Sequence, residues 1–388
     1  MIHAEPGFPR QLLAQPSDAK LKYFRDFTVA HPRLVEANDR LTAAIRDSAP
    51  NSIIFVLGPT GVGKTTLRRR IEQVLQEELR AELETDRGRL PVVSVEAVAP
   101  ESGNFSWRDH FRRLLLLMDE PLVDFKRIPR DVGGEERRGP RFLPGSRAVG
   151  AEYRYALEQA LSFRRPVAVL IDEAQHLAKM ASGRRLLDQL DVIKSIANRT
   201  QTIHVLFGTY DLLAFRNLSG QLSRRSVDVH FPRYHADRVE DRRVFLNVVR
   251  SFERQMPLAE PPNLAKNWEY LYERTIGCVG VLKEWLVMAL SAVLRQGKGA
   301  LAVRDLENHA LSLSQCEKML AESTEGELPL AEGETSRARL HVRLGLEAPV
   351  SHESSLKSTA FSATGGAKHP GQRRPVRDQI GRSTTIHA

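Results

Sequence analysis

Short apolar runs, each followed by a longer stretch with apolar positions three or four residues apart, fill the first two thirds of the chain. A continuous run of five or six apolar residues reads as a strand buried on both faces, whereas the longer period reads as a helix with one covered face. By that rule strands fall at residues 52–57, 90–98, 167–171, 203–207 and 227–231. Helices are expected at 17–27, with Ser17 as its cap, and from the break at His31 and Pro32 to about 46, with Leu34, Ala37, Leu41 and Ile45 on one face. Two more follow, one from the turn after the first strand to about 83 and one at 107–118 with Phe111, Leu114, Leu115 and Met118 inward. Strands alternating with helices predict an α/β fold, a parallel sheet flanked by helices.

Beyond residue 236 the strands stop and helical spacing continues at 239–256, 264–274, 281–295 and 303–320. The expected organisation is an N-terminal helical segment at 1–50, an α/β domain at 51–235, a small all-helical lid domain at 236–321 and a flexible tail at 322–388. The tail begins with an acidic patch (Glu322, Glu325, Glu327, Glu332, Glu334) and turns basic and rich in Ser, Thr, Gly and Pro from about 350, a composition that builds no core. Residues 124–148, rich in Gly, Pro and Arg, read as an exposed insert in the α/β domain.

The turn after the first strand carries Gly58, Pro59, Thr60, Gly61, Val62, Gly63, Lys64, Thr65 and Thr66, which fits G-x-x-x-x-G-K-[ST]. A strand before it and a helix after it, marked by Leu67, Ile71, Val74, Leu75 and Leu79, supply the setting that the motif requires. Backbone N–H groups there would wrap phosphates, Lys64 would reach the β- and γ-phosphates, and the Thr65 hydroxyl would sit on Mg²⁺. The strand at 167–171 ends in Asp172 and Glu173, a Walker B pattern. Asp172 would hold Mg²⁺ through water, and Glu173 would polarise the attacking water as general base. Thr209, at the tip of the strand at 203–207, is the candidate for positioning that water and the γ-phosphate, with a turn-forming threonine as the alternative. Arg224 and Arg225, with Arg233 as a third choice, are candidates for reaching a neighbouring subunit's γ-phosphate. Lys283, on the first turn of a helix after Gly277 and Gly280, is a candidate bridge from the helical domain to the phosphates; an exposed surface lysine is the alternative. His176 and His204 read as packing or hydrogen-bonding groups rather than metal ligands, and no G-x-S-x-G elbow supports a serine hydrolase.

Composition narrows the setting. Of 388 residues, 41% are hydrophobic and 27% charged, ordinary for a globular protein. Two cysteines, Cys278 and Cys316, make neither a disulfide framework nor a zinc knuckle, and no apolar run reaches the roughly 20 residues of a membrane span, so a cytoplasmic protein is expected. The net charge of +9 is concentrated: residues 350–388 hold six Lys and Arg against two Asp and Glu, and residues 124–148 hold seven against four. Such clusters suit a nucleic-acid backbone as well as a solvated surface.

Taken together, this order of parts looks like an AAA+ P-loop NTPase, and its wording resembles the TnsC/TniB family of transposition regulators. The resemblance is carried by Lys20 to Pro32, the phosphate loop, Val169 to His176, Leu206 to Thr209, Phe231 to Tyr234, Gly277 to Lys283 and the basic ending Gly371 to Asp378 with Arg373, Arg374 and Arg377. It implies an ATPase that uses ATP and Mg²⁺ and forms a homo-oligomeric ring or filament on double-stranded DNA without strong sequence specificity. It also implies a link between a target-selecting protein and a transposase, with disassembly on hydrolysis. The DNA contact is expected from the segment before Walker B, here Lys126, Arg127, Arg130, Arg137, Arg138 and Arg141. A signalling or secretion-type ATPase switch acting on proteins without DNA is the alternative. A DExH helicase would need a second motor domain, for which the helical stretch is too short.

Overall fold

The structure, a computed structural model, describes residues 7–99, 105–126, 146–178, 184–217, 226–331 and 334–346. The chain divides into two units, Met1–Ala331 and Glu332–Ala388; the second contributes one described helix, Glu334–Leu344.

In the first unit, strands β1 (Ile53–Leu57), β2 (Val92–Glu96), β3 (Ala168–Asp172), β4 (Ile203–Gly208) and β5 (Ser226–His230) form one parallel sheet in the order β2-β3-β4-β1-β5. Every residue of β1, β3 and β4 is buried, which explains their unbroken apolar text. Alternation assigns the faces. Ile53, Phe55 and Leu57 join Phe111, Leu115, Leu157 and Leu190 on one side, under α5 (Trp107–Leu117), α6 (Ser146–Arg164) and α7 (Arg184–Thr200). Ile54 and Val56 face Leu41, Leu67 and Ile71 on the other, under α2 (Pro32–Asp47) and α3 (Lys64–Glu78). Register places Leu57 opposite Gly208 and Glu96 opposite Asp172, so the strands end together at one rim, where open α/β sheets bind ligands.

The helices after residue 236 build a second core around Phe245, Phe252, Leu282, Trp285 and Leu286. Its elements include α9 (Val239–Gln255), α10 (Trp268–Thr275), α11 (Val279–Arg295), α12 (Val303–Glu307) and α13 (Leu313–Glu327), after α4 (Arg80–Thr85) and the single-turn α8 (Leu213–Arg216) earlier in the chain. Among the described residues no single helix is long and apolar enough to cross a membrane.

Boundaries differ from the sequence reading in several places, among them the helix expected to run to about 83, which ends at Glu78 before the separate α4. Residues 1–50 are not one segment: Phe24 of α1 (Ser17–Asp26) belongs to the second core, whereas α2 packs on the sheet. Ser17 is the first residue of α1 rather than its cap, and its hydroxyl donates to the Leu294 carbonyl at 3.4 Å. The helix expected to stop near 320 breaks at 308–312, restarts from a capping box of Ser312 and Gln315, and runs to Glu327.

Candidate active site

The phosphate-loop motif lies at the rim where β1 ends. Gly63 has φ 115° and Gly61 φ 74°, conformations that L side chains rarely adopt, and Lys64 is the first residue of α3. The first-turn N–H groups of α3, which have no acceptor within the helix, therefore open onto the loop. Thr60 and Thr65 are exposed and Val62 is buried beneath them. Lys64 is 7% exposed, and its Nζ donates to the carbonyls of Gly58 (3.0 Å) and Pro59 (2.9 Å). Burial pushes its pKa down to about 8, against the opposing pull of Glu173, Cys278 and Asp172. A buried ammonium that donates to two carbonyls has three N–H groups and, with no described carboxylate in ion-pair range, can seat an anion.

Asp172 closes the other side. It is 4% exposed, and its Oδ2 accepts the Thr65 hydroxyl at 3.0 Å and Arg68 Nε at 3.0 Å. The two residues expected to hold Mg²⁺ are therefore in direct contact across 107 positions of chain. Glu173 follows in a left-handed conformation (φ 52°), a strained setting for a non-glycine residue, while its N–H donates to Asp172 Oδ1 at 3.0 Å. The Gln175 amide nitrogen donates to Glu173 Oε2, and the Gln175 Oε1 accepts the Thr209 N–H at 3.3 Å. Thr209 thus lies beside the carboxylates, although its hydroxyl donates to Asp211 in the following turn, at 3.0 Å. With Pro59 and Thr60 it lines a cavity of about 200 Å³.

Sequence reasoning missed two contributors. Gln175 was legible as part of the motif but not as a bridge. Met319, Glu322 and Ser323 of α13 form the far wall of the cavity, and the expected end of the helical domain cut that helix short. Its signal was the capping box together with Cys316, Met319 and Ser323 at helical spacing.

Lys283 requires correction. Its Nζ donates to the Phe24 carbonyl and lies 3.9 Å from the centroid of the Phe24 ring, 5.2 Å from Phe252 and 5.6 Å from Phe27. Burial lowers its pKa to about 7, the carboxylate of Asp26 opposing. It is a cation–π anchor of α1, not a group offered to the phosphates. The helical region instead reaches the loop through Val281, whose N–H donates to the Gly61 carbonyl at 3.1 Å. Arg233 is also not available to a neighbour: it is 8% exposed, with Nε 3.2 Å from Glu327 Oε1 and a guanidinium N–H donated to the Ile276 carbonyl at 3.3 Å. Arg224 and Arg225 lie outside the described residues, as do Arg127, Arg130, Arg137, Arg138, Arg141 and the basic tail. Lys126 is described and forms an ion pair with Glu120 at 3.1 Å. His204 is a buried packing group whose Nδ1 lies 2.9 Å from the Thr202 carbonyl.

A parallel sheet with the phosphate loop at its rim after β1 and two carboxylates at the end of β3, across the intervening β4, defines a P-loop fold of the AAA type. Residues 47–215 match the family model of an AAA domain. Among solved structures, the chain is similar to the Walker-type ATPase paby2304 of Pyrococcus abyssi (18% identity, 80% of this chain and 76% of that one, TM-score 0.38). It is also similar to the Aeropyrum pernix ORC1 protein in complex with DNA (16%, 79% and 70%, 0.42) and to Drosophila ORC bound to DNA (14%, 70% and 63%, 0.37). No curated protein sequence matches the chain.

Proposed function

We propose that the chain binds ATP with Mg²⁺ and hydrolyses it, and that nucleotide state controls its assembly on double-stranded DNA as a regulator of transposition. The observation that carries the nucleotide reading is the Thr65 hydroxyl on Asp172 Oδ2 at 3.0 Å, next to a buried lysine that has no described carboxylate in ion-pair range. Thr65, Asp172 and the loop fit a metal–nucleotide pair because they supply a hydroxyl, one buried carboxylate and a ring of backbone donors, leaving phosphate oxygens to complete the set. When bound, Mg²⁺ would neutralise charge on the β- and γ-phosphate oxygens. Lys64 holds the same phosphates by charge, and the first turn of α3 adds its N–H groups. Glu173 takes the proton from the attacking water, held in place by Gln175, and Thr209 orients the reacting end from the β4 tip.

The DNA and transposition reading is supported by the wording of the TnsC/TniB-like motifs and by the two basic runs. Cations on phosphates grip DNA without reading bases, so target choice would come from a target-selecting partner and the output would pass to a transposase. ATP turnover measured with and without duplex DNA tests this. The expected result is stimulation that fades steeply with salt; turnover indifferent to DNA favours a switch that acts on proteins.

A further inference from the structure

Helix α3 places an arginine on the carboxylate that the site needs. One turn past Thr65, Arg68 directs Nε to Asp172 Oδ2, the same oxygen that accepts the Thr65 hydroxyl. The other end of the guanidinium donates to Glu72, four residues further along α3, and to the Ser94 hydroxyl on β2. A guanidinium keeps its proton at any physiological pH, so a fixed positive charge stands on a nearly buried carboxylate. Thr65 and Arg68 share one face of the helix, which is why both reach β3.

A divalent cation held by Thr65 and, through water, by Asp172 competes with that guanidinium for Oδ2, since two cations repel and the oxygen's charge is already taken up by Arg68. Among the described residues there is no group of three or more His, Cys, Asp or Glu side chains placed to hold a metal. The carboxylate that Thr65 touches, Asp172, is already neutralised by Arg68. Phosphates change the balance by adding negative charge and further oxygen ligands. Arg68 then has a second seat, for it keeps Glu72 and Ser94 while giving up Asp172.

Resting on the nucleotide reading above, we propose that Arg68 is an internal counter-cation that holds Asp172 in the nucleotide-free protein and makes metal loading depend on bound phosphates. Arg68 sets the metal requirement, not the grip on the nucleotide. Glu72 is the positioning partner that makes release from Asp172 cheap, because the guanidinium leaves one carboxylate while still paired with another.

The test uses the full chain saturated with a fluorescent ADP analogue in chelator-treated buffer, to which Mn²⁺ is added and its binding followed by electron paramagnetic resonance. Arg68→Met is expected to lower the half-saturating Mn²⁺ concentration by about tenfold, from the charge removed beside the metal, with analogue affinity within about threefold of wild type. Glu72→Gln takes away the second seat and is expected to raise the requirement; a general loss of structure would raise it in both variants, so the fall in Arg68→Met beside the rise in Glu72→Gln separates the two. An unchanged or higher requirement in Arg68→Met with the analogue still bound overturns the proposal and leaves the nucleotide reading standing. If Arg68→Met does not fold, an unchanged or lower requirement in Glu72→Gln overturns it equally. Failure of the wild-type chain to bind the analogue overturns both.

Discussion

Gln175 ties Glu173 to the tip of β4: its amide nitrogen donates to the Glu173 carboxylate while its amide oxygen accepts the N–H of Thr209. The bridge depends on Gly208, where a Cβ would stand 2.6 Å from Gln175 Oε1. In the general-base role proposed for it, Glu173 without the amide has rotamers to choose from and spends less time aligned on water. Gln175→Leu is expected to reduce ATP turnover about tenfold with KM within about twofold, and Gly208→Ala to do the same by pushing the amide aside. Steady-state kinetics, paired with the affinity for an ADP analogue, separates this from a loss of binding.

The phosphate loop and the helical region meet at two glycines. A Cβ on Gly280 would lie 2.4 Å from the Gly61 carbonyl, the acceptor of the Val281 N–H. Gly280→Ala is expected to force these apart, at a cost of about 1–3 kcal/mol from overpacking. The measurement is a pair of denaturation curves with and without ADP. Nucleotide should stabilise the variant less than the wild type, because the helical region no longer senses the loop.

Arg233 and Glu327 form a largely buried ion pair that fastens the end of α13 to the chain leaving β5. Burial raises the Glu327 pKa and Arg233 opposes that rise. Glu327→Leu leaves a buried guanidinium without its carboxylate and is expected to cost about 3 kcal/mol; adding Arg233→Met should recover most of it. Urea unfolding of the two single variants and the double variant checks this.

Lys64 gives the pH dependence. Its folded pKa of about 8 lies below the 10.5 of a free lysine, so between those values the unfolded chain binds more protons and the stability from this group rises with pH. Anion binding runs the other way. Phosphates need the ammonium, so ADP affinity is expected to fall as pH rises through about 8. Calorimetry at pH 8.5 in two buffers of different ionisation enthalpy should show proton uptake on ADP binding, and Lys64→Arg should remove it.

Much of this site was legible because its chemistry is local. A glycine turn between a buried strand and a helix, or two carboxylates at the end of an apolar run, constrains the backbone within ten residues, and the structure puts Lys64, Thr65, Asp172 and Glu173 together as that text implies. The strands were read to within two residues at most ends because β1, β3 and β4 are buried on both faces and leave no polar interruption. What failed was long-range side-chain direction. Lys283 sits on the expected helix, yet its ammonium is taken by Phe24, 259 positions away, and no local pattern announces that. Arg68 is the first of three arginines in a row, and only the sheet order, which lays β3 beside β2, brings Asp172 and Ser94 under it.

In the function proposed above, nucleotide at this site governs assembly on DNA. Negative-stain electron microscopy of the full chain with duplex DNA and a non-hydrolysable ATP analogue at low salt tests it most directly, with Lys64→Ala and Glu173→Gln alongside. Rings or filaments on DNA that require the analogue, vanish in Lys64→Ala and, with ATP itself, persist longer in Glu173→Gln are the expected result. No assembly with nucleotide, or assembly that is the same in Lys64→Ala, would contradict it.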